Sequence, residues 1–269
     1  MTDHELLHHA TSAAINAGEL LKSGFGTTME RRSKSGRHNL VTDFDIRSEA
    51  LIIEHLRAIV PESCFLGEEG GSQGEGSLQW VIDPLDGTVN FAHGIPIFCV
   101  SIAAVRDGAI VCGVIHHPLL NETFTVARGA GAYLNGKRLY VSETAAFEDC
   151  ILVTGFPYNV MENPSNCIQQ FEKMLARGLP IRRLGSAALD LAYLAAGRFD
   201  GYWEVALHPW DMAAGVLMVI EAGGTVTHYD GKQFVLRHDS IVATNGLIHS
   251  ELVSILEFPT EMVSVVENP

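Results

Sequence analysis

Residues 212–220 read Met-Ala-Ala-Gly-Val-Leu-Met-Val-Ile, nine positions in succession with no charged or polar side chain. A helix apolar around its whole circumference has no face for water, so it must be buried on every side. Gly223-Gly224 marks its end, and Asp211 stands alone as an acid at its start. A chain that buries such a helix needs a substantial core. The 269 residues, 47% hydrophobic and 19% charged, supply one, as one large domain or two intimate ones. Disordered and fibrous classes are excluded.

Hydrophobic periodicity places the other elements. Thr2 and Glu5 form a capping box ahead of Leu6, Leu7, Ala10, Ala13, Ala14, Ala17, Leu20 and Leu21 at helical spacing. A second helix starts near Asp43, with Ile46, Ala50, Ile53, Leu56 and Val60 as one face and Pro61 as its stop. Between them lies a basic segment with Arg31, Arg32, Lys34 and Arg37. Apolar runs at 64–66 and 80–82 precede two segments, 98–106 and 109–116, that flank the hairpin signal Asp107-Gly108, and 122–128 reads as a further strand. This middle section predicts antiparallel sheet. From residue 151 strands (151–154, 181–184, 199–204) alternate with helices (164–176, 187–196, 211–222). The fold class expected is therefore α/β, with an α+β half over residues 1–145, an α/β half over 146–269, and no flexible linker.

The chemistry gathers where strands end. Trp80-Val81-Ile82 runs directly into Asp83-Pro84-Leu85-Asp86-Gly87-Thr88, so two carboxylates leave a buried strand at a turn. Closely spaced oxygen ligands suit a hard cation such as Mg²⁺, and the Pro turn can aim the Leu85 carbonyl at the same point. Gly87-Thr88 opens a short helix whose free N–H groups can receive phosphate oxygens. An isolated DxxDG is more often a plain turn. Glu68-Glu69 at another strand end and Asp211 at a buried helix start change that balance, because buried acids without a compensating cation are costly.

Asp83-Pro84-Leu85-Asp86-Gly87-Thr88-Val89-Asn90-Phe91, followed by Trp210-Asp211-Met212-Ala213-Ala214-Gly215 and Glu221-Ala222-Gly223-Gly224, resembles the two signatures of the inositol monophosphatase family, which are metal-dependent and often lithium-sensitive phosphatases. Gly67-Glu68-Glu69, Val41-Thr42-Asp43-Phe44-Asp45 and Ala243-Thr244-Asn245-Gly246 extend the resemblance over nearly the whole chain. The resemblance implies a layered α/β/α/β/α sandwich of the inositol monophosphatase/fructose-1,6-bisphosphatase type. It implies Mg²⁺ held by Glu68, Asp83, the Leu85 carbonyl, Asp86 and Asp211. Asp45 and Thr88 would pair near the attacking water, with Thr88 and Glu68 orienting or deprotonating it. The substrate would meet Asp86, Gly87, Thr88, Gly185, Ser186, Ala187, Glu204 and Asp211, and Lys34 could lean toward the phosphate. Read without the family, Ser186 is a helix N-cap, Glu204 a strand-end charge and Lys34 part of a solvated loop.

The implied activity is Mg²⁺-dependent hydrolysis of myo-inositol 1-phosphate or a similar polyol phosphate, with a homodimer as the common assembly. Fructose 1,6-bisphosphate, histidinol phosphate and 3′-phosphonucleotides are alternative substrates for the same chemistry. A regulatory protein that binds a macromolecule on this fold is the alternative from another class. With 18 Lys and Arg against 32 Asp and Glu, the net charge of −14 speaks against nucleic acid. Five dispersed cysteines suggest neither a zinc site nor a disulfide framework, and the start MTDHELLHHA resembles no signal peptide. A cytoplasmic protein without a membrane span is the expectation.

Overall fold

The computed structural model describes residues 1–28, 31–33 and 40–256. In chain order, α1 (Asp3–Gly24) is followed by a small pair, β1 (Arg31–Ser33) and β2 (Leu40–Thr42), and by α2 (Asp43–Ile59). Then come β3 (Cys64–Gly67), β4 (Gly71–Gln73), β5 (Leu78–Asp86), the single turn α3 (Thr88–Ala92), β6 (Cys99–Arg106), β7 (Ala109–His117), β8 (Glu122–Ala127), β9 (Gly131–Leu134) and β10 (Lys137–Arg138). The remainder comprises β11 (Leu152–Thr154), α4 (Cys167–Ala176), β12 (Ile181–Arg182), α5 (Ala187–Ala195), β13 (Gly201–Val205), α6 (Pro209–Glu221), β14 (Thr225–Thr227), β15 (Ser240–Thr244) and α7 (His249–Leu256).

Two sheets organise these elements. An eight-stranded sheet runs β10-β9-β8-β7-β6-β5-β3-β4, and a five-stranded sheet runs β12-β11-β13-β15-β14. Helices α1 and α2 cover the outer face of the large sheet, where Leu6, Ala10, Ala13 and Leu21 meet Trp80, Phe98 and Val114 in one core. Helices α5 and α6 lie between the sheets, and Leu191, Leu194, Met212 and Leu217 share a second core with residues of both. Helices α4 and α7 close the far face of the small sheet over a third. The result is the α/β/α/β/α sandwich expected from the sequence, and α6 sits at its centre, where Met212 through Val219 are all buried; only Ile220, in its last turn, departs from the expectation at 48% exposed.

Three expectations need correction. The middle section is not wholly antiparallel, because β3 pairs with β5 in parallel. The helix expected over 164–176 begins only at Cys167, since Asn163, Ser165 and Asn166 adopt left-handed backbone and hold the preceding residues in 3₁₀ turns. The inward face of α2 is also displaced. Ile53, Leu56 and Val60 are buried as expected, but Ile46 is 52% exposed and Ala50 is exposed, while Phe44, Asp45, Ser48, Glu49 and Ile52 point inward. Polar residues occupy the buried face because they hold the site described below, so apolar spacing alone misplaces it. The Asp107-Gly108 hairpin forms as expected, with φ of 52° and 78° at its two residues. Among the described residues, no helix is long and apolar enough to cross a membrane.

The central layer is closely packed. A methyl group at Gly215 in α6 would lie 2.6 Å from Leu191 Cδ1 of α5, inside van der Waals contact. Gly215→Ala is therefore expected to lower stability by about 1–3 kcal/mol through overpacking, read as a lowered urea midpoint at unchanged slope. A parent-like midpoint would mean that the two helices are not pressed together as described.

Candidate active site

The site begins with a β-bulge. Along a regular strand, residues three apart face opposite ways, so Asp83 and Asp86 would point to different sides of the sheet. In β5 the register with β6 shifts between them: Asp83 pairs with Ser101 and Asp86 with Cys99, so two residues of β5 stand against one of β6. The extra residue turns both carboxylates to the same face. Pro84, which has no N–H to give to a ladder, sits within the irregularity. The Leu85 N–H donates to Asp83 Oδ1 at 3.1 Å and fixes that side chain over the turn.

Helix α2 holds the bulge from one side. Asp45 is fully buried and accepts from the Thr42 N–H (2.8 Å) and the Thr42 hydroxyl (2.6 Å) as the reciprocal half of a capping box. Its other oxygen lies 2.9 Å from Thr88 Oγ1, which also stands 3.1 Å from the Leu85 carbonyl. One turn along, the Ser48 hydroxyl donates to the Pro84 carbonyl at 2.8 Å. The pairing of Asp45 with Thr88 thus joins the start of α2 to the start of α3, 43 residues away.

Helix α5 holds the other side. Asp86 Oδ2 accepts from the Ser186 hydroxyl (2.7 Å) and the Ala188 N–H (2.8 Å). Ser186 occupies the N-cap position of α5, yet its hydroxyl makes no capping bond and serves Asp86 instead. Gly185 adopts φ of 82° and leaves room for Asn90, whose amide donates to the carbonyls of Leu184 and Ile97 at 2.8 Å each. Asp211 at the start of α6 accepts from the His208 N–H at 2.6 Å. Glu204 on β13 accepts from the Tyr202 hydroxyl at 2.7 Å.

These residues line one pocket of about 880 Å³ that contains Glu68, Asp83, Leu85, Asp86, Gly87, Thr88, Gly185, Ser186, Ala187, Glu204 and Asp211. Asp45 lies behind it, bonded to Thr88. Lys34 lies outside the described residues. Burial pushes Asp83 well above the usual carboxylate range, and Glu68, Asp86 and Asp211 push it further by like-charge repulsion. Asp211 is likewise pushed well above that range, first by burial, with Asp86, Glu68 and Glu204 adding to it against the His208 hydrogen bond. Burial brings Asp86 to about 6 in spite of the Ser186 and Ala188 donors, and Asp45 to about 6 in spite of Thr42 and Thr88. Glu204 reaches about 7, again mainly through burial.

Such a set of oxygen donors, repelling one another in a poorly solvated pocket, has the chemistry that a hard divalent cation takes. Among the described residues, no three His, Cys, Asp or Glu side chains already stand as a closed metal cage. The acids share a pocket, and an ion would draw them together. Two buried acids beside the pocket were missed in the sequence. Glu49, 4% exposed, reaches the loop that carries Glu68, and its signal was its place four residues after Asp45 on the same helical face. Asp190 in α5, 1% exposed, has no hydrogen-bond partner among the described residues for either oxygen, and burial beside Glu204 and Asp86 holds it well above the carboxylate range. Nothing in the apolar sequence around it signalled that position.

Comparison with known proteins identifies the family. The model of the inositol monophosphatase family matches residues 2–261. An inositol-1-monophosphatase of Mesorhizobium japonicum is 42% identical over 262 residues, covering 96% of this chain and 98% of that protein. The Nus factor SuhB of Escherichia coli K12 is 43% identical over 246 residues, covering 90% of this chain and 92% of that protein. The crystal structure of extragenic suppressor protein suhB from Bartonella henselae superposes with a TM-score of 0.90 at 40% identity, covering 94% of this chain and 98% of that one.

The raised acids give a pH dependence whose sign follows from linkage. Glu204 titrates near 4.5 unfolded and about 7 folded, so the fold holds its proton more tightly and loses that stabilisation as pH rises between those values. In EDTA, Glu204→Gln should therefore gain stability relative to the parent from pH 4.5 to 7. The difference should be at most on the order of 3 kcal/mol across the window, read from paired urea midpoints. A difference independent of pH would contradict the buried setting of this carboxyl.

Proposed function

This chain belongs to the inositol monophosphatase family, and from that premise we propose that it is a Mg²⁺-dependent phosphomonoesterase acting on myo-inositol 1-phosphate or a similar small polyol phosphate. The observation that carries the proposal is the convergence of Glu68, Asp83, Asp86 and Asp211 on one pocket beside the bonded pair Asp45 and Thr88. In this reading Glu68, Asp83, Asp86, Asp211 and the Leu85 carbonyl hold Mg²⁺. Bound there, the ion would neutralise phosphate charge and lower the pKa of water toward neutrality.

The protein's own groups then have defined tasks. Asp45 accepts a hydrogen bond from the Thr88 hydroxyl, which leaves a Thr88 lone pair free to accept a hydrogen bond from water and orient it. Thr42, donating twice to Asp45, keeps that carboxylate from turning away. Glu68 orients the same water or takes its proton. Gly87 adopts φ of 95°, and a side chain there would come within 2.9 Å of the Ile97 carbonyl, so the backbone stays open at this corner of the pocket. Gly185, Ser186 and Ala187 bound the alcohol side, where Glu204 accepts hydrogen bonds from ring hydroxyls. Lys34 keeps a phosphate-side role on the sequence alone. A cytoplasmic homodimer completes the proposal.

One observation favours a second reading. Among the described residues lining the pocket, Arg183 is the single Lys or Arg, and it lies close enough to Glu204 and Asp190 to favour their ionised forms. A cation at the alcohol side would suit a second anionic group, as in fructose 1,6-bisphosphate.

Phosphate release from inositol 1-phosphate, fructose 1,6-bisphosphate, histidinol phosphate and 3′-phosphoadenosine 5′-phosphate tests both readings. We expect preference for the inositol ester, loss in EDTA, and a drop of about a hundredfold in Asp83→Asn. Folded parent protein that releases no phosphate from any of the four would overturn the proposal. The second reading predicts that Arg183→Gln costs about tenfold in kcat/KM for the bisphosphate and little for the inositol ester. Equal losses would refute it.

A further inference from the structure

We infer that Glu49 is a positioning residue that fixes where the Glu68 carboxylate can be offered to a divalent cation. The inference rests on the reading of Glu68 as a metal ligand. The two oxygens of Glu49 accept from the backbone of the residues immediately following Glu68: Oε2 from the Glu69 N–H at 2.9 Å and Oε1 from the Gly70 N–H at 2.7 Å. The Glu68 N–H itself donates to the Ile82 carbonyl at 3.2 Å, next to Asp83. The backbone of Glu68 is thus clamped between the end of β5 on one side and a buried carboxylate of α2 on the other.

Two glycines make this approach feasible. A methyl at Gly67 would collide with Glu49 Oε2, and one at Gly70 would lie 2.7 Å from Oε1. Both hydrogen bonds are made with only 4% of Glu49 exposed, so water does not compete with the Glu69 and Gly70 amides for its oxygens. The placement is also economical in geometry. Asp45, Ser48 and Glu49 share the inward face of α2 and hold Thr88, the Pro84 carbonyl and the Glu68 loop respectively. One rigid helix therefore sets three separate pieces of the pocket in register, and Glu49 serves the piece with no regular secondary structure of its own.

The test is a calorimetric Mg²⁺ titration of the parent, Glu49→Gln and Glu68→Gln, with kcat measured over a range of Mg²⁺ concentrations and unfolding followed in EDTA. Glu49→Gln keeps one acceptor oxygen and places an amide NH₂ against a backbone N–H, so the loop loses one of its two anchors. The expected result is Mg²⁺ affinity weakened about tenfold, with kcat recovered at saturating Mg²⁺. A residue that merely supports the fold would lower the unfolding temperature in EDTA and leave the Mg²⁺ affinity of the folded fraction within about twofold of the parent, and that result overturns the inference. If Glu49→Gln does not fold, Gly67→Ala, whose methyl would meet the Glu49 carboxyl before any other group, displaces the same carboxyl, and the same two outcomes decide. Parent protein that binds no Mg²⁺, or Glu68→Gln that binds it as the parent does, overturns the metal role of Glu68 and this inference with it. Parent-like affinity in Glu49→Gln, with binding lost in Glu68→Gln, overturns the inference alone.

Discussion

Repulsion between carboxylates held together in a poorly solvated pocket is the force that the rest of this structure is arranged to withstand. Asp83, Asp86 and Asp211 each sit above the usual carboxylate range because burial and their neighbours disfavour charge. Left to themselves, such side chains would rotate toward water. They are instead held by donors: the Leu85 N–H on Asp83, Ser186 and Ala188 on Asp86, and the His208 N–H on Asp211. Leu85 stands in β5, Ala188 in α5, and Ser186 and His208 directly ahead of α5 and α6, so the packing of those elements is what keeps the acids in place.

This explains why the central helix layer matters to chemistry as well as to stability. The start of α5 supplies the donors to Asp86, and the start of α6 supplies Asp211. Both helices are buried between the two sheets, so neither start can shift without opening the main core. On the other side of the large sheet, α2 carries Asp45, Ser48 and Glu49 toward the same point. The pocket is therefore assembled from both faces of one sheet through the bulge at the end of β5, a device that works because a single extra residue reverses the direction of a side chain.

Much of this was legible in the sequence, and the parts that were not share a cause. The apolar run 212–220 announced a buried helix, and the DxxDG after a buried strand announced paired carboxylates, because both signals are local. The bulge was not legible, since it depends on which residues of β6 stand opposite Asp83 and Asp86. The inward face of α2 was misread because Asp45, Ser48 and Glu49 are polar residues turned to the interior, where apolar spacing carries no signal for them. Ser186 was legible as a residue before a helix, and its service to Asp86 was not, because the partner lies 100 residues away. Local rules failed where long-range polar contacts build the site, which is the pattern expected when function overrides local preference.

The most direct test of the account is a crystal structure with Mn²⁺ in place of Mg²⁺, located by its anomalous scattering. Both ions take oxygen donors, so the substitution preserves the ligand type. The account predicts anomalous density in the pocket, with carboxylate oxygens of Asp83, Asp86 and Asp211 and the Leu85 carbonyl at about 2.0–2.4 Å from metal, and Glu68 turned to the same cluster. Well-ordered crystals with the acids still apart and no anomalous density between them would contradict it.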